Sequence, residues 1–419
     1  MLQRIVDYYK RHKRPILVTG GIISVAYLTS HYAKQKFLQF QDRNAKARAA
    51  KENLRRRFDQ NQLDAMYSVL ALVEVIRDQI ETRFNHEELV GRIANLKTRN
   101  LADPENPEEA KQPVVTKLQL WEDLKIMTFT RALGSIYVVE LLGILGHIQM
   151  NLVGRLIYIE SVVGEQPAYD AMGKTGNDVS SLNDLMEATS TPAKVSYDNE
   201  RLYLSFSWWF INRGWKDVIK IVQEVVNETV GSIPLKQKFN YNELVLLFAT
   251  LRSEIDQKLF MDPEVILDLL LPSDSKGERE VLRACGALGI DVSSEQESIN
   301  EGLRILLDET KDFIECSDFS LVRSKAMDAM LEFMLVDLKD KLCPSSDGSD
   351  SLASSPRIIE MPLNEDIPSQ PLAKLLPVLA QLSYPVLRSN SNPYLRELAQ
   401  CKEMQAFSAI IYSSFEILN

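Results

Sequence analysis

The chain has 419 residues, of which 45% are hydrophobic and 25% are charged, and it carries a formal net charge of −10. This composition excludes a fibrous or wholly disordered protein and supplies enough apolar residues for a sizeable core. Residues 1–60 hold 14 lysines and arginines against four acidic residues, so the basic charge is confined to the N-terminus. A nucleic-acid-binding domain, which presents positive charge on a folded face, is therefore not expected.

The first predicted element is a membrane anchor over residues 15–33, preceded by a basic segment over residues 1–14. The anchor reads PILVTGGIISVAYLTSHYA, which has no charge and is close to the length that a helix needs to cross a bilayer. A cleaved signal peptide and a buried core helix are the alternatives. The chain continues directly into a helical pattern, which favours an anchor. Basic residues flank both sides, so charge does not set the orientation.

A basic helix over residues 34–60 is predicted next. Its cations are typical of a solvated stalk, but their position beside the anchor also favours contact with anionic lipid headgroups. The candidate lipid contacts are Lys34, Lys36, Arg43 and Lys46. Beyond them, apolar residues recur every three or four positions, which predicts a helix with one apolar stripe. This stripe consists of Leu63, Met66, Leu70, Val73, Ile76 and Ile80.

The segment from Arg99 to Val114 is rich in Pro, Asn and Glu and predicts a loop. Thr116 and Gln119 then match a capping box that starts a long helix. Beyond Phe129 this helix is apolar on nearly every face, as in a central core helix or a second membrane span. Its apolar run is interrupted by Arg131, Glu140, His147 and Arg155, which favours the core.

Further helical patterns occupy the rest of the chain, and no convincing strand pairs appear. The predicted helices are Asp198–Val230, Tyr241–Lys258, Pro263–Leu271, Ile299–Glu315, Leu321–Leu342, Leu372–Leu387 and Tyr394–Ile417. Residues 344–370 have the composition of a disordered surface loop. The expected fold class is all-α: an N-terminal transmembrane helix followed by a single large cytosolic helical bundle over residues 61–419.

A search for catalytic and metal sites gives little. The four cysteines are widely spaced and the chain has only four histidines, so neither a zinc site nor a disulfide framework is indicated. Residues 168–175, AYDAMGKT, resemble a phosphate-binding loop only at their end, because the first glycine is replaced by Ala168. We therefore expect no catalytic residues, no metal and no cofactor, and a membrane-bound enzyme is the less favoured class.

The candidate for function lies at the start of the long helix. Leu118, Trp121 and Leu124 are spaced by three and share one helical face. Charged residues surround this face at Glu122, Asp123 and Lys125. A Trp within a charged rim is typical of a protein-binding hot spot. The alternative is that Trp121 simply packs in the core.

Several stretches of the chain also resemble a known family. They are MLQRIVDYYKRHKRPILVTGGIISVAYL at residues 1–28, WEDLKI at 121–126, FTR at 129–131, QMNLVG at 149–154 with Tyr158, LLDETKDFIECSDFS at 306–320 and PLAKLLP at 371–377. In this order they resemble the third-peroxin family, which docks the farnesylated import receptor at the peroxisomal membrane. Residues 168–193 and 344–370 match the family poorly.

The resemblance implies a single-pass peroxisomal membrane protein with most of its chain in the cytosol, with the endoplasmic reticulum as a candidate transit route. It also implies a groove that receives an amphipathic helix of the import receptor, the nineteenth peroxin. Carried onto this sequence, the groove residues are Leu96, Lys97, Lys117, Trp121, Leu124 and Lys374. A tether for organelle inheritance or autophagy adaptors is the alternative role, and membrane lipids are further expected partners.

Overall fold

The computed structural model describes residues 48, 51–99, 117–170, 197–286, 299–342 and 369–414, without the side chains of 95–99, 160–170, 197 and 198. The predicted basic segment 1–14, the anchor 15–33 and the lipid contacts Lys34, Lys36, Arg43 and Lys46 lie outside these residues. So does the predicted loop 344–370, except for its last two residues. The chain divides into two compact units, Met1–Gln60 and Asn61–Asn419.

In the first unit, residues 51–60 are helical and mostly exposed. Arg55 lies 4.0 Å from Asp59, and Arg56 lies 4.0 Å from Glu52, with at least 61% of each side chain in solvent. Exposed ion pairs at this helical spacing contribute only about 0.3–0.5 kcal/mol each. They are typical of a solvated helix surface.

The second unit is a helical bundle, with helices labelled here in chain order. They are α1 (61–83), α2 (His86–Arg99), α3 (Lys117–Asp170), α4 (Tyr197–Leu204), α5 (Ser207–Trp209), α6 (Trp215–Val230), α7 (Tyr241–Phe260), α8 (Pro263–Leu270), α9 (Ser275–Ala284), α10 (Glu301–Glu315), α11 (Ser317–Leu342), α12 (Leu372–Ala380), α13 (Ser383–Val386), α14 (Pro393–Gln400) and α15 (Lys402–Ser413). A π-helical turn, Phe210–Gly214, joins α5 to α6. The predicted all-α class is confirmed for the described part of the chain.

Two strands of two residues each add a short antiparallel pair. In this pair, β1 (Lys238–Phe239) lies against β2 (Gln370–Pro371), with Lys238 opposite Pro371. Sequence patterning did not predict these strands, because two residues are too few for an alternation to be visible.

Helix α3 is the centre of the bundle. Its apolar stretch is long enough to cross a membrane, but 94% of its most apolar 18-residue window is buried inside the protein. A helix that is apolar on all sides needs neighbours on all sides, and α1, α2, α6, α11, α12 and α15 supply them. The prediction of a core helix is confirmed.

Helices α1 and α6 both run antiparallel to α3. Along α1, Gln62 donates to Asn151 at 2.7 Å, and the carbonyl of Phe84 accepts from Arg131 at 3.3 Å. Between these ends, a Cβ added at Gly146 would lie 2.4 Å from Val69 Cγ2, so the glycine permits the close approach of the two helices. The C-terminal end of α6 lies beside the third turn of α3, as described below.

Helix starts follow their sequence signals. Asn240 and Glu243 form a capping box before α7, each side chain accepting from the other's backbone N–H at 2.8 Å. Asp262 caps α8, whose first residue is Pro263.

Three predicted helices are shorter or broken in the structure. The stretch Asp198–Val230 is divided by the π-helical turn at Phe210–Gly214. Leu372–Leu387 divides after Ala380, and Tyr394–Ile417 divides at Cys401. The predictions missed these breaks because the apolar period continues across them while the backbone does not. Helices α2 and α9 were not predicted.

Candidate docking surface at the start of α3

The first turns of α3 divide their apolar side chains between the core and the solvent. Leu120 is 2% exposed and Leu124 is 3% exposed, whereas Leu118 is 66% exposed. Trp121 is half-buried: one side of it packs against the core cluster, and part of it remains in solvent. Trp121 therefore packs against the core, as the alternative expects, but part of its side chain remains open to solvent. Leu118 and Trp121, three residues apart, form an apolar strip on the surface.

Leu124 does not line this strip as an exposed wall. Its side chain is directed inward with Leu120, because residues four apart on a helix share a face and this face packs into the bundle. Leu124, expected to line the groove, is thus almost completely covered by the bundle in this structure.

Lys125 is also not part of a charged rim, since its side chain is fully buried. The ammonium lies 2.5 Å from the carboxylate of Glu122 and donates to the backbone carbonyls of Gly231, at 3.2 Å, and Ile233, at 2.7 Å. These carbonyls follow the C-terminus of α6, where helix carbonyls lack intrahelical partners and the helix dipole favours a cation. Lys125 thus fixes residues 231–233 beside α3, one helical turn from Trp121.

The connection after α6 then brings a distant part of the chain to the same end of the bundle. The amide of Ala373 donates to the carbonyl of Leu235 at 3.1 Å, and the amide of Leu372 donates to that of Gln237 at 2.8 Å. Leu372 and Leu375 are buried, whereas Lys374 between them is exposed. The structure therefore places Lys374 at the end of the bundle where α3 begins, although 253 residues separate it from Trp121.

Exposed lysines surround this end. Lys117 at the start of α3 and Lys374 were expected there, and the structure adds Lys236 and Lys238 on the connection between α6 and α7. The ammonium groups of the four lysines form no ion pair or hydrogen bond with any residue that the structure describes. Sequence reasoning missed Lys236 and Lys238 because nothing local links them to Trp121, although a Pro-containing turn with two lysines was visible.

The remaining predicted site residues, Leu96 and Lys97, lie in the last turns of α2. Helix α2 packs against α3, and its residue Ile93 is buried in the core. The side chains of Leu96 and Lys97 are outside the described residues, and so is most of the connection that leads to α3.

Strongly perturbed titratable groups lie elsewhere and are buried. Burial raises the pKa of Glu140 well above its ordinary value; Arg323 opposes this shift, and Asp256 adds to it. Tyr137, which donates to Asp256 at 2.8 Å, also has its pKa raised by burial. Glu140 and Tyr137 are both 0% exposed, so no substrate reaches them in this structure. No group of three or more His, Cys, Asp or Glu residues in the described ranges is arranged to hold a metal ion.

A shallow depression lies on the flank of the bundle between α1 and α6. Its walls are Asp78, Gln79, Thr82, Arg83, Trp215 and Lys216. Trp215, 1% exposed, forms its floor and donates to Gln79 at 3.0 Å. The depression lies away from the start of α3, because the first turn of α6 is at the opposite end of that helix from Lys125.

Comparison with known proteins gives matches along almost the whole chain. The Peroxin-3 family profile matches residues 7–113 and 95–414. The chain is 28% identical over 446 residues to Peroxisomal biogenesis factor 3 of Yarrowia lipolytica, covering 98% of this chain and 99% of that protein. It is 27% identical over 470 residues to Peroxisomal membrane protein PEX3 of Komagataella phaffii, covering 99% and 100%. For Peroxisomal biogenesis factor 3 of Homo sapiens the identity is 24% over 428 residues, covering 99% and 98%.

Proposed function

Because the chain belongs to the Peroxin-3 family and so has a role in peroxisome biogenesis, we propose that it docks the farnesylated import receptor of peroxisomal membrane proteins. In this proposal, residues 15–33 anchor the chain in the peroxisomal membrane, and the helical bundle faces the cytosol. The start of α3 then receives an amphipathic helix of the receptor. The observation that carries the proposal is the half-buried Trp121 beside the exposed Leu118.

The recognition mode is a helix laid against an apolar strip. An amphipathic helix presents apolar side chains at positions i, i+3, i+4 and i+7, which cover a surface of this kind. Covering a large apolar side chain that is otherwise exposed contributes about 1.5–3 kcal/mol. Leu118 and the exposed part of Trp121 are the two side chains available for this gain. Leu124, three residues from Trp121, is buried in the same part of α3 and is proposed to take part through the packing of this turn.

The course of α2 supports the inclusion of Leu96 and Lys97. Helix α1 runs antiparallel to α3 and ends beside Arg131, and α2 begins two residues later. Arg131 lies ten residues beyond Trp121, which is about 15 Å along a helix, and Leu96 lies ten residues beyond the start of α2. If α2 keeps the direction of α1, the backbone of Leu96 comes to the level of Trp121, which supports its place in the proposed site.

We further propose that the role is non-catalytic. The support is that the titratable pairs with strongly shifted pKa values, around Glu140 and Tyr137, are sealed in the core. An enzyme needs such groups in contact with substrate.

Replacement of Trp121 by Ala tests the docking proposal. The expected result is a loss of about 2 kcal/mol or more in affinity for the receptor, with the helical content unchanged. Isothermal titration calorimetry of the full-length chain in micelles measures it. Trp208→Ala is the matched control, because Trp208 is also a half-buried Trp packed against the core but belongs to α5. Equal losses in the two variants would remove Trp121 from the site.

The basic segment before the bundle is proposed to contact lipid through Lys34, Lys36, Arg43 and Lys46. Each cation near an anionic surface contributes about 1 kcal/mol. Replacing all four by Gln in a peptide of residues 34–60 should therefore reduce binding to vesicles that contain phosphatidylserine and leave binding to neutral vesicles unchanged. Co-sedimentation measures both, and equal binding of the two peptides to the anionic vesicles would contradict the contact.

A further inference from the structure

We propose that Lys236 and Lys238, together with Lys374, form a basic collar that selects a partner helix with carboxylates along one flank of its apolar stripe. This inference rests on the docking function proposed above and adds to it the charge of the partner and the residues that read it. The collar consists of these three residues throughout.

The position of the collar is fixed by backbone contacts. Lys125 holds the carbonyls of Gly231 and Ile233 beside the third turn of α3. Lys236 and Lys238 follow on the same connection, and Lys238 lies opposite Pro371, three residues before Lys374. The collar therefore lies at the end of the bundle where Trp121 reaches the surface.

The direction of these side chains follows from their neighbours. Successive residues of a strand point to opposite sides. Phe239 is 7% exposed and is part of the core cluster, so Lys238 is directed to solvent. In helix α12, Leu372 and Leu375 are buried while Lys374 is exposed, so the side chain of Lys374 is directed away from the core.

The ammonium groups of the collar are not paired with any carboxylate that the structure describes. The chain as a whole carries a net charge of −10, yet these three cations form no ion pair with a described residue. The nearby carboxylate of Glu122 is already paired with Lys125. Asp123 is the exposed acidic residue on the same turn of α3 and limits the positive potential on that side. An uncompensated basic edge beside an apolar strip favours a partner with an acidic flank and accelerates its association.

Two synthetic peptides test the collar with the full-length chain in uncharged detergent. Both form an amphipathic helix with Leu at i, i+3, i+4 and i+7; one carries Glu along one flank of the Leu stripe, and the other carries Gln there. We expect the Glu peptide to bind about tenfold more tightly at low salt, and this preference to shrink as salt screens the charges. Fluorescence anisotropy gives both affinities.

The double variant Lys236→Glu/Lys238→Glu should abolish the preference for the Glu peptide while leaving the affinity for the Gln peptide within about twofold. Its control is Lys216→Glu/Lys220→Glu, which changes the net charge equally on exposed residues of α6 and should keep the preference. The unchanged Gln peptide also reports that the variant is folded.

The outcomes separate the two proposals. A Glu preference that survives in the collar variant, or that disappears equally in the control, overturns the collar. If both peptides bind equally well and their binding depends on Trp121, the collar is overturned and the docking function stands. Failure of the parent chain to bind either peptide overturns both.

Discussion

The buried carboxyl of Glu140 makes the stability of the bundle depend on pH. Glu140 is 0% exposed, and both of its oxygens lack a hydrogen-bond partner among the described residues. Its pKa is raised well above its ordinary value of 4.5, mainly by burial; Asp256 and Asp328 act in the same direction, and Arg323 and Arg252 oppose it. The folded protein therefore keeps a proton that the unfolded chain releases above about pH 4.5.

The sign of the effect follows from this proton. Above pH 4.5 the folded state binds more protons at Glu140 than the unfolded state, so the free energy of unfolding falls as the pH rises. The free energy of unfolding falls by about 1.4 kcal/mol for each pH unit above 4.5, up to the raised pKa of the folded protein. Glu140→Gln removes the titration and with it this loss.

Urea unfolding of the full-length chain in micelles, followed by circular dichroism at several pH values, measures the effect. Glu140→Gln should gain stability relative to the parent as the pH rises from 4.5 to 6.5. Glu224→Gln, which replaces an exposed carboxylate on α6, is the control and should follow the parent. Parallel curves for Glu140→Gln and the parent would refute a neutral, buried carboxyl in the folded state.

Three further predictions concern the packing and the docking surface. Lys125→Met should lower the free energy of unfolding by about 3 kcal/mol in urea titrations, because two backbone carbonyls lose their buried donor. Gly214→Ala would place a Cβ 1.9 Å from the carbonyl oxygen of Leu269 and should lower the free energy of unfolding by about 3 kcal/mol. At Gly91 a Cβ would meet no atom within 4 Å, so Gly91→Ala should stabilise α2 by up to about 1 kcal/mol. Melting temperatures of the two variants distinguish these effects. Lys374→Glu should slow receptor association in stopped-flow measurements and weaken its salt dependence, with a smaller effect on dissociation; an unchanged salt slope would remove Lys374 from the rim.

The fold class and the core position of α3 were predictable because they depend on local periodicity. A long apolar sequence with charged residues such as Arg131 and Arg155 inside it is sufficient to indicate a core helix rather than a membrane span. In the structure both arginines are paired with carboxylates, Arg131 with Glu81 and Arg155 with Glu309. The π-helical turn at Phe210–Gly214 was not predictable in the same way, since its residues continue the apolar period and only tertiary packing changes the backbone there.

The candidate site was predictable in part. The spacing of Leu118, Trp121 and Leu124 predicted a shared face but could not say which of its members face the core, because that depends on what packs against α3. The same limit explains Lys125, which the sequence presents as a surface charge and the structure uses as a buried donor to the end of α6. Lys236 and Lys238 join the site through two tertiary links: the hydrogen bonds of Lys125 to residues 231 and 233, and pairing with β2, more than 130 residues away.

A site-specific photo-crosslinker is the most direct test of docking at the start of α3. It should be placed at Leu118, which is 66% exposed beside Trp121, and separately at Leu321, which is 52% exposed on α11. In peroxisomal membranes, irradiation of the Leu118 variant should yield a covalent adduct with the import receptor, and the Leu321 variant should yield none. Absence of the adduct at Leu118, or equal adducts at both positions, would contradict docking at this surface.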